Sequence, residues 1–160
     1  MKTNNLFIAF LLSFFLFAGS SSAQILTEAT DFTLSDCDGN EHTLFTSLDK
    51  GEVVALEFVM GCLPCVNGRK ALDKMEKQFA VSNPGKFHVY TFGYSSGVDC
   101  SGIQKWMTDN KFTGTSFGGD DAVIASYNAE GGMPTIVVVG GTDHKVLYWK
   151  KGFAVKDSAS

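Results

Sequence analysis

Positive charge is in short supply in this chain: 13 lysines and arginines stand against 17 aspartates and glutamates, a formal net charge of -4. No basic patch stands out to hold a phosphate backbone, so a nucleic-acid partner is excluded. Internal repeats and low-complexity tracts are missing after residue 23, and the 3 prolines form no linker. That absence leaves no point at which to divide 160 residues into two domains. A dinucleotide-cradling Gly-x-Gly-x-x-Gly loop is missing as well. So is a second cysteine pair, or a histidine pair at ligand spacing, that would complete a zinc site. His42, His88 and His144 are scattered and read as turn or strand residues. Nothing therefore calls for a cofactor or a metal.

No apolar run is long enough to span a bilayer comfortably, which takes about 20 residues. The longest, Leu6 to Ala18, is interrupted by Ser13, follows Lys2 and leads into the small residues Gly19 to Ala23. This pattern reads as a secretory signal peptide, residues 1–23, cut before Gln24. No cysteine follows the run to carry a lipid. Residues 24–160 then form one mature, soluble domain with 12 basic and 17 acidic groups. An exported protein works where disulfides form and persist, so its 4 cysteines become the central chemical fact.

Asp31–Ser35 and His42–Phe45 flank Asp38-Gly39-Asn40, the pattern of an N-terminal hairpin. Val53–Val59, Phe87–Phe92 and Thr135–Val139 are near-continuous apolar runs, as in strands covered on both faces. Glu57 is the single acid in the first of them. Leu72, Met75 and Phe79 share one helical face, with Arg69, Lys70, Asp73, Lys74, Glu76 and Lys77 mostly on the other. Asn83-Pro84-Gly85 ends that helix. Ile103, Trp106 and Met107 mark a second helix, and Ala122–Tyr127, started by Asp120 and Asp121, a third. Trp106 and Trp149 read as core or groove edge. Gly140–Asp143 before Val146–Trp149 predicts a closing antiparallel hairpin. The fold class is α/β: a mixed central sheet flanked by helices.

Cys62-Leu63-Pro64-Cys65 falls just past a buried strand and at the head of a helix. The free N–H groups and the positive dipole end of a helix start favour a thiolate, which makes Cys62 the more acidic sulfur. Pro64 costs no hydrogen bond in a first turn. As a mere staple the pair is weak: closing four residues is worth about 2 kcal/mol, against about 4 kcal/mol for the stretch from Cys37 to Cys100. Redox use of Cys62 and Cys65 is therefore the stronger reading. Cys37 and Cys100 are expected to form a structural bridge, the alternatives being two separate thiols or a relay to the active pair.

On these residues, together with Asp31–Asn40 and Gly132-Met133-Pro134-Thr135, the sequence resembles the thioredoxin superfamily, and most closely its exported TlpA/ResA-like thiol-disulfide oxidoreductases. The resemblance spans about residues 31–153 and implies a three-layer thioredoxin-like fold with an N-terminal hairpin extension. It further implies a cis Pro134 facing the dithiol, and Glu57 as the buried acid that takes the Cys65 proton. Met133, with Leu63 and Pro64, would border the substrate groove. The implied partners are proteins with disulfides and a membrane thiol-electron donor, and the implied setting is the bacterial periplasm or the exterior. Departures are Gly61 in place of an aromatic residue before Cys62, a short approach from Phe58, and a tail, Lys151–Ser160, that leaves little for a closing helix. A reading of another class is a thioredoxin-fold interaction module, its cysteines holding Cu(I) with Met60 or Met133.

Overall fold

The computed structural model describes residues 26–154; the leader predicted over residues 1–23 lies outside them. A small antiparallel hairpin, β1 (Thr33–Ser35) and β2 (Glu41–Thr43), comes first. There follow α1 (Leu44–Asp49), β3 (Val53–Val59), α2 (Leu63–Ser82), β4 (Phe87–Gly93), α3 (Cys100–Asp109), β5 (Thr115–Phe117), α4 (Asp121–Ser126), β6 (Thr135–Gly140) and β7 (Lys145–Lys151). Strands β3 to β7 form one sheet in the order β5-β4-β3-β6-β7. The pairs β3/β4 and β4/β5 are parallel, whereas β3/β6 and β6/β7 are antiparallel. This is the mixed sheet flanked by helices that the apolar runs predicted. Among the described residues no helix is long and apolar enough to cross a membrane.

Alternation along the central strands splits the core in two. Val54, Leu56 and Phe58 of β3 join Tyr90, Phe92, Val137 and Val139 on one face, under Leu44 and Leu48 of α1 and Val123 and Ile124 of α4. Phe92 stacks between Phe58 and Phe117, with ring centroids 5.3 and 4.6 Å away. On the opposite face Ala55, Val89 and Ile136 lie under Leu72 of α2. Tyr127 closes the first layer: its hydroxyl donates to the Thr30 carbonyl at 2.6 Å and accepts from the Thr30 N–H, which pins the N-terminal arm. Trp149, on the rim of β7, donates to the Tyr127 carbonyl at 2.9 Å.

Three expectations need correcting, and one strand is new. Phe45 belongs to a helix, because Leu44 and Leu48, one turn apart, both bury completely and draw the chain into α1. Strand β5 is an additional edge strand of three residues. The buried stripe of α2 is Cys65, Gly68, Arg69 and Leu72, so Arg69 is on the inner side. Met75 and Phe79 are 37% and 41% exposed, although Phe79 still meets the sheet, its ring stacked on Phe87 with centroids 5.2 Å apart. No helix follows β7 among the described residues.

The hairpin is held by a carboxylate. Gly39, at φ +88°, makes the turn possible. Asp36 then accepts hydrogen bonds from the N–H groups of Asp38 and Asn40, from the Asn40 amide and from His42, the last at 2.8 Å. His42 also bonds the Tyr90 hydroxyl at 3.1 Å, fastening the hairpin to β4. Burial alone would push the Asp36 carboxyl up, but these bonds together outweigh it and hold it down at about 2, from 3.8. A depressed carboxyl stabilises the fold above its unfolded value and loses that contribution as pH falls toward the folded one. The wild-type urea midpoint should therefore fall steeply between about pH 4 and pH 2, and Asp36→Asn should start lower and flatten that limb. Parallel limbs in the two proteins would contradict this role.

Candidate active site

The site is assembled where the central strand ends. β3 delivers the chain through Met60 and Gly61 to Cys62, which has extended backbone angles (φ -114°, ψ 152°) and caps α2, its Sγ accepting the Cys65 N–H at 3.2 Å. Pro64 sits in the first turn. Cys62 and Cys65 are joined as a disulfide with Cα atoms 5.2 Å apart. Their environments differ: Cys62 is half-buried and Cys65 has no exposed surface. An incoming partner can reach only the first.

Opposite the pair, the Met133–Pro134 peptide bond is cis, and the Met133 carbonyl oxygen lies 4.0 Å from Cys62 Sγ. Helix α2 comes down on this loop at Gly68. A Cβ there would lie 3.2 Å from Pro134 Cγ, 3.4 Å from Glu57 Oε1 and 3.4 Å from Ile136 Cδ1. Glycine is what lets helix, proline loop and acid approach so closely.

Glu57 is fully buried on the face of β3 that α2 covers, with Thr91 beside it on β4 and Ile136 on β6. Neither carboxyl oxygen has a partner at good hydrogen-bond geometry, and the Thr91 hydroxyl beside it only slightly favours the ionised form. Burial pushes its carboxyl up to about 8; the Arg69 guanidinium works against that rise and Asp73 adds to it. β3 is the middle strand of the sheet, so Glu57 faces no sheet edge, and the cation that acts on it is Arg69.

A groove of about 670 Å³ lies alongside, lined by Met60, Tyr94, Ser95, Ile124, Glu130 and Met133 among others. Met60 and Tyr94 are each 42% exposed, and Leu63, at the helix tip, is 72% exposed. Met133 is thus in the groove wall. Leu63 and Pro64 are exposed on the helix tip and are not among its lining residues.

Cys37 and Cys100 form the second disulfide, with Cα atoms 5.2 Å apart. It joins the hairpin turn to the start of α3, and its Cys37 packs with Cys62, Val98, Trp106 and Met133 around buried Val59, Cys65 and Ile103. The three histidines each face an acid: His42 on Asp36, His88 on Glu52 and His144 on Asp49. Among the described residues no cluster of three or more His, Cys, Asp or Glu could hold a metal ion. Sequence reasoning overlooked Arg69, Thr91 and Tyr94. Arg69 alone carried a signal, since it follows Cys65 by four residues and so shares its helical stripe.

No protein-family model and no curated protein matches the sequence. Solved structures do. The chain is similar to a protein assigned as the thiol:disulfide interchange protein DsbE of Chlorobium tepidum, at 21% identity and a TM-score of 0.67, over 84% of this chain and 90% of that one. It is similar to a protein assigned as a disulfide isomerase of Bacteroides thetaiotaomicron, at 17% identity and a TM-score of 0.69, over 85% and 84%. A thioredoxin family thiol:disulfide interchange protein of Chlorobium tepidum TLS matches at 16% identity and a TM-score of 0.64, over 87% and 100%. At such identities the likeness is one of fold.

Proposed function

We propose, starting from the thioredoxin-like fold of this chain, that it is an exported thiol-disulfide oxidoreductase that reduces or isomerises disulfides of other proteins. The observation that carries the reading is the Cys62–Cys65 pair at a helix start, opposite a cis Met133–Pro134 bond, on a helix whose Gly68 lies against buried Glu57. In the reduced protein, the Cys62 thiolate attacks one sulfur of a substrate disulfide. That S–S bond breaks, the first substrate sulfur leaves as a thiolate, and a mixed disulfide joins Cys62 to the second. Cys65 then gives its proton to the Glu57 carboxylate and attacks Cys62 Sγ. The second substrate thiolate is expelled, and the protein keeps the Cys62–Cys65 disulfide. Two electrons have passed to the substrate.

Met133 supports the approach of an extended substrate through its backbone, as in strand addition. Re-reduction needs a dithiol from outside the chain, which we assign to a membrane thiol carrier. Export rests on the leader at residues 1–23, and places the protein in the periplasm or outside the cell. Insulin reduction in the presence of dithiothreitol tests the activity. Precipitation well above the dithiothreitol background is expected, and a rate equal to background rejects the reading. The reduction potential, measured against glutathione mixtures, then separates reduction from isomerisation.

A further inference from the structure

Three of the six buried polar or charged side chains among the described residues carry atoms without a hydrogen-bond partner. Among the described residues, the buried side-chain atoms without a hydrogen-bond partner are Glu57 Oε1 and Oε2, Arg69 Nε and Nη1, and Thr91 Oγ1. Glu57 and Thr91 are direct cross-strand neighbours. Arg69 follows Gly68, the residue at which α2 meets Glu57, and shares the inner stripe of α2 with Cys65 one turn earlier. Uncompensated polarity is expensive in a core, and a fold keeps it where chemistry uses it.

Arg69 is also held in place. Its Nη2 donates to the Thr113 carbonyl and lies 3.0 Å from Asp73 Oδ1. Its side chain has no exposed surface, while Asp73 keeps 21%. A guanidinium does not give up its charge. The groups acting on Glu57 are therefore Arg69 and Asp73 from α2 and Thr91 from β4, with Ile136 from β6 bringing no charge, and Cys65 lies on the same buried stripe of α2, one turn before Arg69.

We propose that Arg69 is a positioning residue for proton transfer from Cys65 to Glu57, the buried counter-cation that keeps one negative charge inside the protein while it moves from oxygen to sulfur. This inference rests on the oxidoreductase reading above. Before transfer the set is a thiol, a carboxylate and a guanidinium; after it, a thiolate, a carboxylic acid and a guanidinium. The proton leaves Cys65 Sγ for a Glu57 oxygen, and the total charge is the same on both sides. Without the cation the same step would need an isolated buried anion throughout, and Glu57 would hold its proton to higher pH. Asp73, on the outer side of Arg69, acts with the opposite sign.

The test uses the full mature protein, reduced, in four forms: wild type, Arg69→Met, Arg69→Lys and Asp73→Asn. Two quantities are followed against pH. One is the Glu57 carboxyl titration by carbon-13 NMR; the other is the rate at which Cys65 releases 5-thio-2-nitrobenzoate from a mixed disulfide on Cys62. Arg69→Met should move both midpoints upward by about 1 pH unit or more, and slow release near neutral pH by about tenfold. Arg69→Lys should restore part of the loss, and Asp73→Asn should move both midpoints downward. A purely structural role predicts no such opposition of sign. An unmoved Glu57 titration in Arg69→Met, or shifts of one sign in Arg69→Met and Asp73→Asn, would overturn the proposal. Should Arg69→Met fail to fold, the Arg69→Lys and Asp73→Asn titrations decide it in the same way. If the wild-type protein failed to reduce insulin, the oxidoreductase reading would fall, whereas the Glu57 titrations would still report on Arg69.

Discussion

Replacing Cys62 with alanine should abolish disulfide exchange, while replacing Cys65 with alanine should leave a protein that reacts once and stops. The difference follows from where the sulfurs sit. Cys62 caps α2 and is half-buried, so as a thiolate it is stabilised by the helix start and open to a partner. Cys65 has no exposed surface and is within bonding reach of Cys62. Cys62→Ala therefore removes the one sulfur that can meet a substrate, and insulin reduction should drop to the dithiothreitol background. Cys65→Ala keeps the attack but lacks the group that expels the second substrate thiolate. The covalent adduct should accumulate, visible on a non-reducing gel and as a mass equal to the sum of the two partners. Full activity in Cys62→Ala would refute the mechanism, and turnover without adduct in Cys65→Ala would remove Cys65 from it.

The second large effect concerns stability. Cys37 and Cys100 are 63 residues apart in sequence, and their bond fastens the hairpin turn to the start of α3. In the loop-entropy picture such a link is worth about 4 kcal/mol. Set against the roughly 5–15 kcal/mol that holds an ordinary domain together, this is a large share. The double variant Cys37→Ala, Cys100→Ala should lose about that amount in urea unfolding at neutral pH. It should still fold in water. The turn keeps its bond from the Cys37 N–H to the Ser116 carbonyl at 2.8 Å and from the Gln104 amide to the Cys37 carbonyl at 3.1 Å. Exchange by Cys62 and Cys65 should survive at 25 °C. A loss below about 1 kcal/mol would show that the link does little for the fold. Exchange that failed in a well-folded double variant would instead make these cysteines a relay.

What could be read from residues alone was whatever had a strong period or a strong chemical signature. β3 runs from Val53 to Val59, the span of its apolar run, because nothing in that stretch competes with a buried strand. The Cys-x-x-Cys at a helix head was legible because position and residue type agree. Elements that depend on their neighbours were less so. In Leu44–Asp49 the preceding Thr43 and the aromatic Phe45 suit a strand, and only the packing of Leu44 and Leu48 against the sheet decides for a helix. Thr115–Phe117 is too short to show a period, and exists because β4 offers it an edge. Arg69 was misplaced because a charged residue is rarely buried whole. Its burial depends on a carbonyl that lies 44 residues away in the chain, which no local pattern announces.

In the proposed cycle, the unequal access to the two sulfurs would also dictate the order of events. A visitor would be received and discharged through one doorway, and the inner sulfur would act as a timer that begins only after the doorway is occupied. Protein cargoes of very different shapes would then be processed alike, since none of them would have to fit the step that sets them free.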